Sequence, residues 1–388
     1  MMNFTDVHNR KQTRSVKWDI LSSVFQSDDV LPMWVADMDF KTPQPVIDAL
    51  KERAEHGIFG YTIVDTDVEN SIADWQKRRH SWQIDTSWLT FSPGVVASLH
   101  IAIQTFTEPK DKVLIQTPVY TPFYHVIEKH DREVVKNTLK YKDNAYQIDF
   151  EDFEEKLKSG VKAFVLCSPH NPVGRVWSKE ELQKMADLCI TYNVLIISDE
   201  IHGDLTFPGS KHIPIASLSN EISQQTITFM SPSKTFNLAG LQASYAITED
   251  KNMRIKFKEQ MGNQGHHILN TMGIIAMETA YNHGDEWLEE LRNVLQENRN
   301  YVAEMFSQHT NELKVIDMEG TYLVWIDCSG LNLDDKSLKT FMIEKAKVGL
   351  NAGIEYGEEG KQFMRMNIAC PRETLKEGVE RIINAVNA

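Results

Sequence analysis

No stretch of this chain approaches the roughly 18 uninterrupted apolar residues that mark a membrane-spanning helix, so the expectation is a protein that does not cross a bilayer. Cysteine is scarce. Cys167, Cys189, Cys328 and Cys370 contain no Cys-x-x-Cys pair, which offers neither a zinc pattern nor a dense disulfide framework and fits a reducing compartment. Proline and glycine, 13 and 19 in 388 residues, are not enriched, which argues against long low-complexity linkers and disorder on a large scale. Positive charge is in deficit: 41 Lys and Arg against 55 Asp and Glu leave a formal charge of −14. That balance disfavours non-specific attraction to nucleic acid or anionic lipid, while leaving room for a local basic pocket. Residues 1–18 carry basic side chains but no apolar core of signal-peptide length, so a cytoplasmic, unexported protein is expected.

What is present is the material for a large core. At 388 residues the chain exceeds the size at which single cores stop growing, which predicts two domains. Between about 90 and 250, short apolar runs alternate with longer amphipathic segments, the signature of βαβ units around a mostly parallel sheet. Strands are expected at 113–116, 161–167, 194–198, 226–230 and 243–247. Between the second and third, Ser178 and Glu181 make a capping box and Leu182, Met185, Ala186, Cys189 and Ile190 recur at helical spacing. After 284 a long helical pattern with Leu288, Leu291, Leu295 and Val302 leads to a strand-like run at 322–328. The expected division is a large α/β domain over 46–284 and a smaller α+β domain from 285–388, completed by 1–45.

In an open parallel sheet the ligand site lies beyond the carboxyl ends of the strands. Four segments there are chemically loaded: 92–99 (SPGVVASL), 168–175 (SPHNPVGR), 198–205 (SDEIHGDL) and 231–240 (SPSKTFNLAG). A lone lysine in a loop is usually a solvated charge, but Lys234 sits among Ser231, Ser233 and Thr235, where an amine can form an imine with an aldehyde and the hydroxyls can bind a phosphate. Asp199 closes an apolar run; such a carboxylate is often a helix cap, or, when buried, the partner that keeps a pyridine nitrogen protonated. His202 reads as a structural histidine in isolation and, beside a cofactor, as a hydrogen-bond partner of the ring oxygen or its surroundings. Asn171 in HNPVG says turn, or an amide donor to that same oxygen. Gly94, Val95 and Val96 open a helix whose N–H groups favour phosphate. Tyr120 is a core aromatic by default and a ring stacker at a strand end.

Taken in order, the phosphate loop, the aromatic, HNPVGR, DEIH and SxSKTF resemble the fold-type I pyridoxal 5′-phosphate (PLP) enzymes of the class I/II aminotransferase superfamily. Asn171, Asp199 and Lys234 follow one another 28 and then 35 residues apart. The resemblance implies the aspartate aminotransferase fold, with Lys234 as the Schiff-base lysine, Asp199 on the pyridine nitrogen, Asn171 on the 3′-oxygen and Tyr120 stacked on the ring. It also implies phosphate binding by Val95, Val96, Ser231 and Ser233. Arg365, in FMRMNIACPR, would clamp the substrate α-carboxylate. Tyr61, in GIFGYT, would reach the phosphate of the other subunit of a homodimer.

Two departures narrow the branch. Where many aminotransferases carry an arginine eight residues beyond the lysine, this chain has Gln242, and three residues beyond the aspartate it has His202 where tyrosine is common. With PMWVADMDF at 32–40, these features are similar to the MalY/PatB branch of carbon–sulfur β-lyases. That branch implies β-elimination from L-cystathionine, L-cysteine or S-conjugates to a thiol, pyruvate and ammonia, and a place in methionine biosynthesis. Two alternatives stay open at this point: an aminotransferase passing the amino group to a 2-oxo acid, and a regulatory interaction protein on the same fold.

Overall fold

A computed structural model describes residues 4–266 and 268–388 of the chain. A seven-stranded sheet is formed by β1 (Leu89–Ser92), β2 (Lys112–Thr117), β3 (Glu133–Thr138), β4 (Val161–Cys167), β5 (Leu195–Asp199), β6 (Thr226–Met230) and β7 (Ser244–Ile247), in spatial order β1-β7-β6-β5-β4-β2-β3. Strands β2 to β6 are mutually parallel, whereas β7 runs antiparallel to both β6 and β1. All five expected strands are present. The apolar run at 243–247 carries no signal for direction, and β1 and the edge strand β3 are too short or too polar to stand out by hydropathy.

Successive side chains on the strands point to opposite faces, and each face finds its own helix. Ile115, Val165 and Ile197 pack with Leu99, Ile101 and Ile103 of α1 (Val95–Phe106). Leu114, Phe164, Leu166 and Ile196 pack on the other side with Leu182, Met185 and Cys189 of α2 (Lys179–Thr191). The interior strands β4, β5 and β6 are therefore largely apolar because both faces are covered. The capping box that starts α2 is formed: Ser178 Oγ accepts from the Glu181 amide at 3.1 Å and Glu181 Oε2 accepts from the Ser178 amide at 2.8 Å.

The register fixes where chemistry can occur. Cys167 at the end of β4 pairs with Asp199 at the end of β5, and Asp199 pairs with Phe229, one residue before the end of β6. Three neighbouring strands thus stop at one level, and the segments carrying Asn171, Asp199 and Lys234 leave the sheet side by side. Because β1 is antiparallel to β7, Ser92 and the start of α1 emerge at that same edge. Lys234 itself lies in a short helical turn, α3 (Pro232–Thr235).

The later chain forms α4 (Asp285–His309), whose Leu288, Leu291, Leu295 and Val302 are all buried, each contributing roughly 1.5–3 kcal/mol of hydrophobic transfer. It leads into an antiparallel sheet of β8 (Lys314–Val315), β9 (Leu323–Asp327), β10 (Asn351–Ala352) and β11 (Phe363–Asn367), ordered β8-β9-β11-β10. Near the N-terminus, Leu31–Pro32 pairs in parallel with Val348–Gly349. Among the described residues no helix is long and apolar enough to cross a membrane.

A buried ion cluster secures the N-terminal segment. Lys17, 1% exposed, lies 2.7 Å from Asp39, which also accepts from Arg10 at 2.7 Å and from the Trp18 indole at 3.0 Å. Burial opposes ionisation of Asp39, but Lys17, Trp18 and Arg10 together hold its carboxyl below the usual range. Replacing Asp39 by Ala leaves the buried Lys17 ammonium without its counter-charge, while Arg10 keeps Asp37, and a loss of roughly 3–5 kcal/mol is expected in thermal or urea unfolding. Asp29→Ala, which breaks the exposed contact with Lys347, leaves the midpoint nearly unmoved.

Candidate active site

The strand ends open into a cavity of about 450 Å³. Its wall includes Gly94, Val95, Val96, Tyr120, Asn171, Asp199, His202, Ser231, Ser233, Lys234 and Arg365. Two residues singled out in the sequence lie elsewhere: Thr235 is fully buried and turns its hydroxyl to Asp204, away from any phosphate, and Tyr61 is 98% exposed and borders a separate surface depression.

Lys234 Nζ donates to the carbonyl of Ala36 at 2.6 Å, the same oxygen that accepts from the Tyr322 hydroxyl at 2.9 Å. Burial and then the nearby Arg365 guanidinium lower the amine to about 8, against partial compensation from Asp37 and Asp199. A lysine near 8 is a competent nucleophile and base at neutral pH, where an ordinary lysine is almost wholly protonated. Asp199 shifts the other way: burial raises it to about 7, and the Ile201 amide at 3.2 Å is too little to offset the lost hydration. Such a carboxyl gains most from a cationic partner delivered into the cavity.

Arg365 projects from β11, 4% exposed, and donates to Asn171 Oδ1 at 3.2 Å, Asn351 Oδ1 at 2.8 Å and the Trp34 carbonyl at 3.0 Å. Its Nε has no partner among the described residues, and neither has His202 Nδ1. Because Asn171 accepts through its oxygen, its amide NH₂ remains as a donor at the cavity wall. His202 is pushed down to about 3 by burial and by the Lys234 and Arg365 cations, so its imidazole is neutral. Tyr120 is half-buried at the wall, and desolvation followed by Asp199 raises its phenol.

At the other end of the cavity, α1 begins at Gly94 without a side-chain cap, so the first-turn N–H groups of Val95, Val96 and Ala97 lack intrahelical acceptors. Ser231 Oγ donates to the Ala243 carbonyl at 2.7 Å and lies 2.7 Å from Ser233 Oγ. A Cβ at Gly94 would meet nothing within 4 Å, so the space above this helix start is open. Free N–H groups, hydroxyls and the helix dipole form a seat for a phosphate. With Gln242 on the wall, Lys234 and Arg365 are the only lysine and arginine lining the cavity among the described residues. The unpartnered donors, the uncompensated Asp199 and the open phosphate seat fit a phosphorylated pyridine aldehyde.

The sequence marked 32–40 only as a branch feature and placed neither that segment nor the groups behind the lysine at the site. Residues 34–36 form part of the wall and are pinned by side-chain amides: Asn367 Nδ2 donates to the Val35 and Asp37 carbonyls at 2.5 and 2.6 Å, and Asn237 bonds Met38 and Phe40. Behind the lysine, Thr235 donates to buried Asp204 at 2.8 Å, which also accepts from the Trp75 indole and contacts His80 at 3.0 Å. The Asn residues look like turn formers in sequence, and only the fold shows which backbone they hold.

A family model, Aminotransferase class I and II, matches residues 28–382. Over the full length of both chains, this protein is 46% identical to cystathionine beta-lyase PatB of Bacillus subtilis and 36% identical to Protein MalY of Escherichia coli. Among solved structures, cystalysin from Treponema denticola, described as containing a pyridoxal 5′-phosphate cofactor, superposes with a TM-score of 0.97 at 37% identity, covering 100% of this chain and 99% of that one.

The Lys234 shift has a direct chemical readout. In the ligand-free chain at pH 8 about half of its amine is neutral, against about one part in 300 for an unperturbed lysine. Reductive methylation with formaldehyde, followed by peptide mass spectrometry over pH 6–11, should show Lys234 labelling levelling off just above pH 8 while surface lysines keep accelerating past pH 10. Labelling of Lys234 in step with the surface lysines would contradict the shift.

Proposed function

The chain belongs to the class I and II aminotransferase family, and from that premise we propose that it is a PLP-dependent carbon–sulfur β-lyase acting on L-cystathionine, L-cysteine or related S-conjugates. The observation that carries the reading is the Lys234 amine, lowered to about 8, in one cavity with Asp199 and Arg365. When bound, PLP supplies an electron sink into which charge from the substrate Cα can drain.

This chain's residues supply the rest. Lys234 would hold the cofactor and, once displaced by the substrate amine, remove the Cα proton onto Nζ, a role suited to an amine that is half neutral near pH 8. Asp199 would balance the positive pyridine nitrogen, which gives its buried carboxyl the cation it lacks. Asn171, with its oxygen committed to Arg365, would donate its NH₂ to the ring oxygen, beside the neutral His202. Tyr120 would stack on the ring. Val95, Val96, Ser231 and Ser233 would hold the phosphate without help from a cation at position 242. Arg365 Nε–H, which has no partner among the described residues, would be left for the substrate α-carboxylate. Loss of a thiolate from Cβ, followed by hydrolysis, yields thiol, pyruvate and ammonia.

The proposed assembly is a homodimer. Ile58 (66% exposed), Phe59 (58%), Tyr61 and Ile63 (76%) form an exposed apolar run, which is costly to leave in water and suits contact with a second copy. In that arrangement Tyr61 reaches the partner's phosphate seat. A cytoplasmic place in sulfur amino-acid metabolism follows from the same reading.

Purified enzyme with L-cystathionine and no added 2-oxo acid should release pyruvate. Activity that appears only when a 2-oxo acid is supplied would assign the chain to transamination instead. Lys234→Ala should lower the rate by at least about a thousandfold, because both the covalent anchor and the base are lost. Shared sites have their own signature: Lys234→Ala and Tyr61→Ala, each inactive alone, should on co-expression regain about one quarter of wild-type activity, since half of randomly paired dimers carry one intact site. No recovery in verified mixed dimers would count against the contribution of Tyr61 across the interface.

A further inference from the structure

Among the described residues, the charged side chains that line the cavity are Asp199, Lys234, Arg365 and Glu355. The first three have assigned tasks. Glu355 has none, and it differs from them in exposure: its side chain is 41% exposed, at the mouth, whereas Asp199 and Arg365 are about nineteen-twentieths buried.

Its position is built. Glu355 lies in the turn Gly353–Tyr356 between β10 and β11, and the turn packs so closely that a Cβ on Gly353 would stand 2.1 Å from the Gly360 carbonyl. The Glu355 carbonyl accepts from Thr121 Oγ1 at 2.7 Å, tying the turn to the segment that follows Tyr120. Its carboxylate accepts from Asn351 Nδ2 at 3.3 Å, while Asn351 Oδ1 accepts from Arg365 at 2.8 Å. One asparagine therefore sets the spacing between the arginine proposed for the α-carboxylate and this outer carboxylate. The other Glu355 oxygen is 3.6 Å from Lys339 Nζ, on the helix Asp335–Glu344, and that side chain is also 41% exposed. A charge-assisted hydrogen bond would be near 2.8 Å, so the two ions are neighbours that have not closed on each other.

We infer that Glu355 and Lys339 form a recognition site for the distal end of the substrate, Glu355 for an ammonium and Lys339 for a carboxylate. This selects thioethers that carry an amino-acid group at both ends. The inference rests on the β-lyase reading and names its substrate class. An outer carboxylate repels the second carboxylate of a dicarboxylic amino acid, which would otherwise be attracted by the cationic interior. A small S-alkyl cysteine has no charged distal group to meet the pair. The competing reading is an ordinary surface ion pair, worth little and indifferent to substrate.

The test uses the PLP-loaded enzyme, with pyruvate release measured for L-cystathionine and S-methyl-L-cysteine. In Glu355→Gln and in Lys339→Met, the ratio of kcat/KM for cystathionine to that for S-methylcysteine should fall roughly three- to tenfold, chiefly through the cystathionine KM. L-aspartate should inhibit Glu355→Gln more strongly than wild type. An unmoved ratio in both variants, with only a lowered Tm, overturns the inference and leaves a structural ion pair. A wild-type enzyme that releases no pyruvate from either substrate sinks the lyase reading along with it, whereas pyruvate from both with an unmoved ratio sinks this inference alone.

Discussion

The common level at which β4, β5 and β6 stop is the constraint on which the site depends. Parallel pairing of Cys167 with Asp199 and of Asp199 with Phe229 delivers three loops to one edge, with a carboxylate, an amide and an amine among them. Slipping β5 by one residue would reverse which face each of its side chains meets, carrying Ile196 and Ile197 into each other's helical layers. The hydrophobic core thus enforces the catalytic register, and no contact inside the cavity has to do so.

That enforcement lets the cavity hold groups in poor electrostatic circumstances. Lys234 and Arg365 lie close enough to depress the lysine, and Asp199 is raised because burial outweighs its single backbone hydrogen bond. A cofactor or substrate can relieve these circumstances: a pyridinium beside Asp199, an aldehyde on Lys234 and a carboxylate on the Arg365 guanidinium that crowds the lysine. The cost is met by surrounding order. Residues 34–40 are clamped by Asn237, Asn367 and Arg365, and the same segment is fixed from outside by Arg10 and Lys17 on Asp37 and Asp39. The Ala36 carbonyl that receives the Lys234 amine is therefore held from both sides.

Much of this was legible in the sequence, and for a local reason. HNPVGR, DEIH and SPSKTF are short, each follows an apolar run that becomes a strand, and ligand sites in open α/β sheets lie beyond strand ends. The helix over 179–191 was equally plain, because its capping box and its apolar spacing lie within one continuous stretch. Asn351, Glu355, Asn237 and Asp204 were not legible. Asn237 reaches Met38 and Phe40, Asp204 reaches Trp75 and His80, Glu355 is tied to Thr121, and Asn351 meets Arg365 across two strands of an antiparallel sheet. Neither periodicity nor turn chemistry reports such pairings.

The sequence by itself determined the five apolar strands, the capped helix over 179–191 and the candidate reactive groups, because propensity, capping and strand-end motifs are set by near neighbours. It left the direction of β7 undetermined, since an apolar run reads the same both ways and only pairing with β1 and β6 settles it. The tertiary structure alone decided the electrostatics: Lys234 near 8 follows from burial and from Arg365 arriving on a different sheet, and Asp199 near 7 follows from burial. Desolvation and Coulomb energies depend on distance in space, and no local pattern of residues encodes that distance.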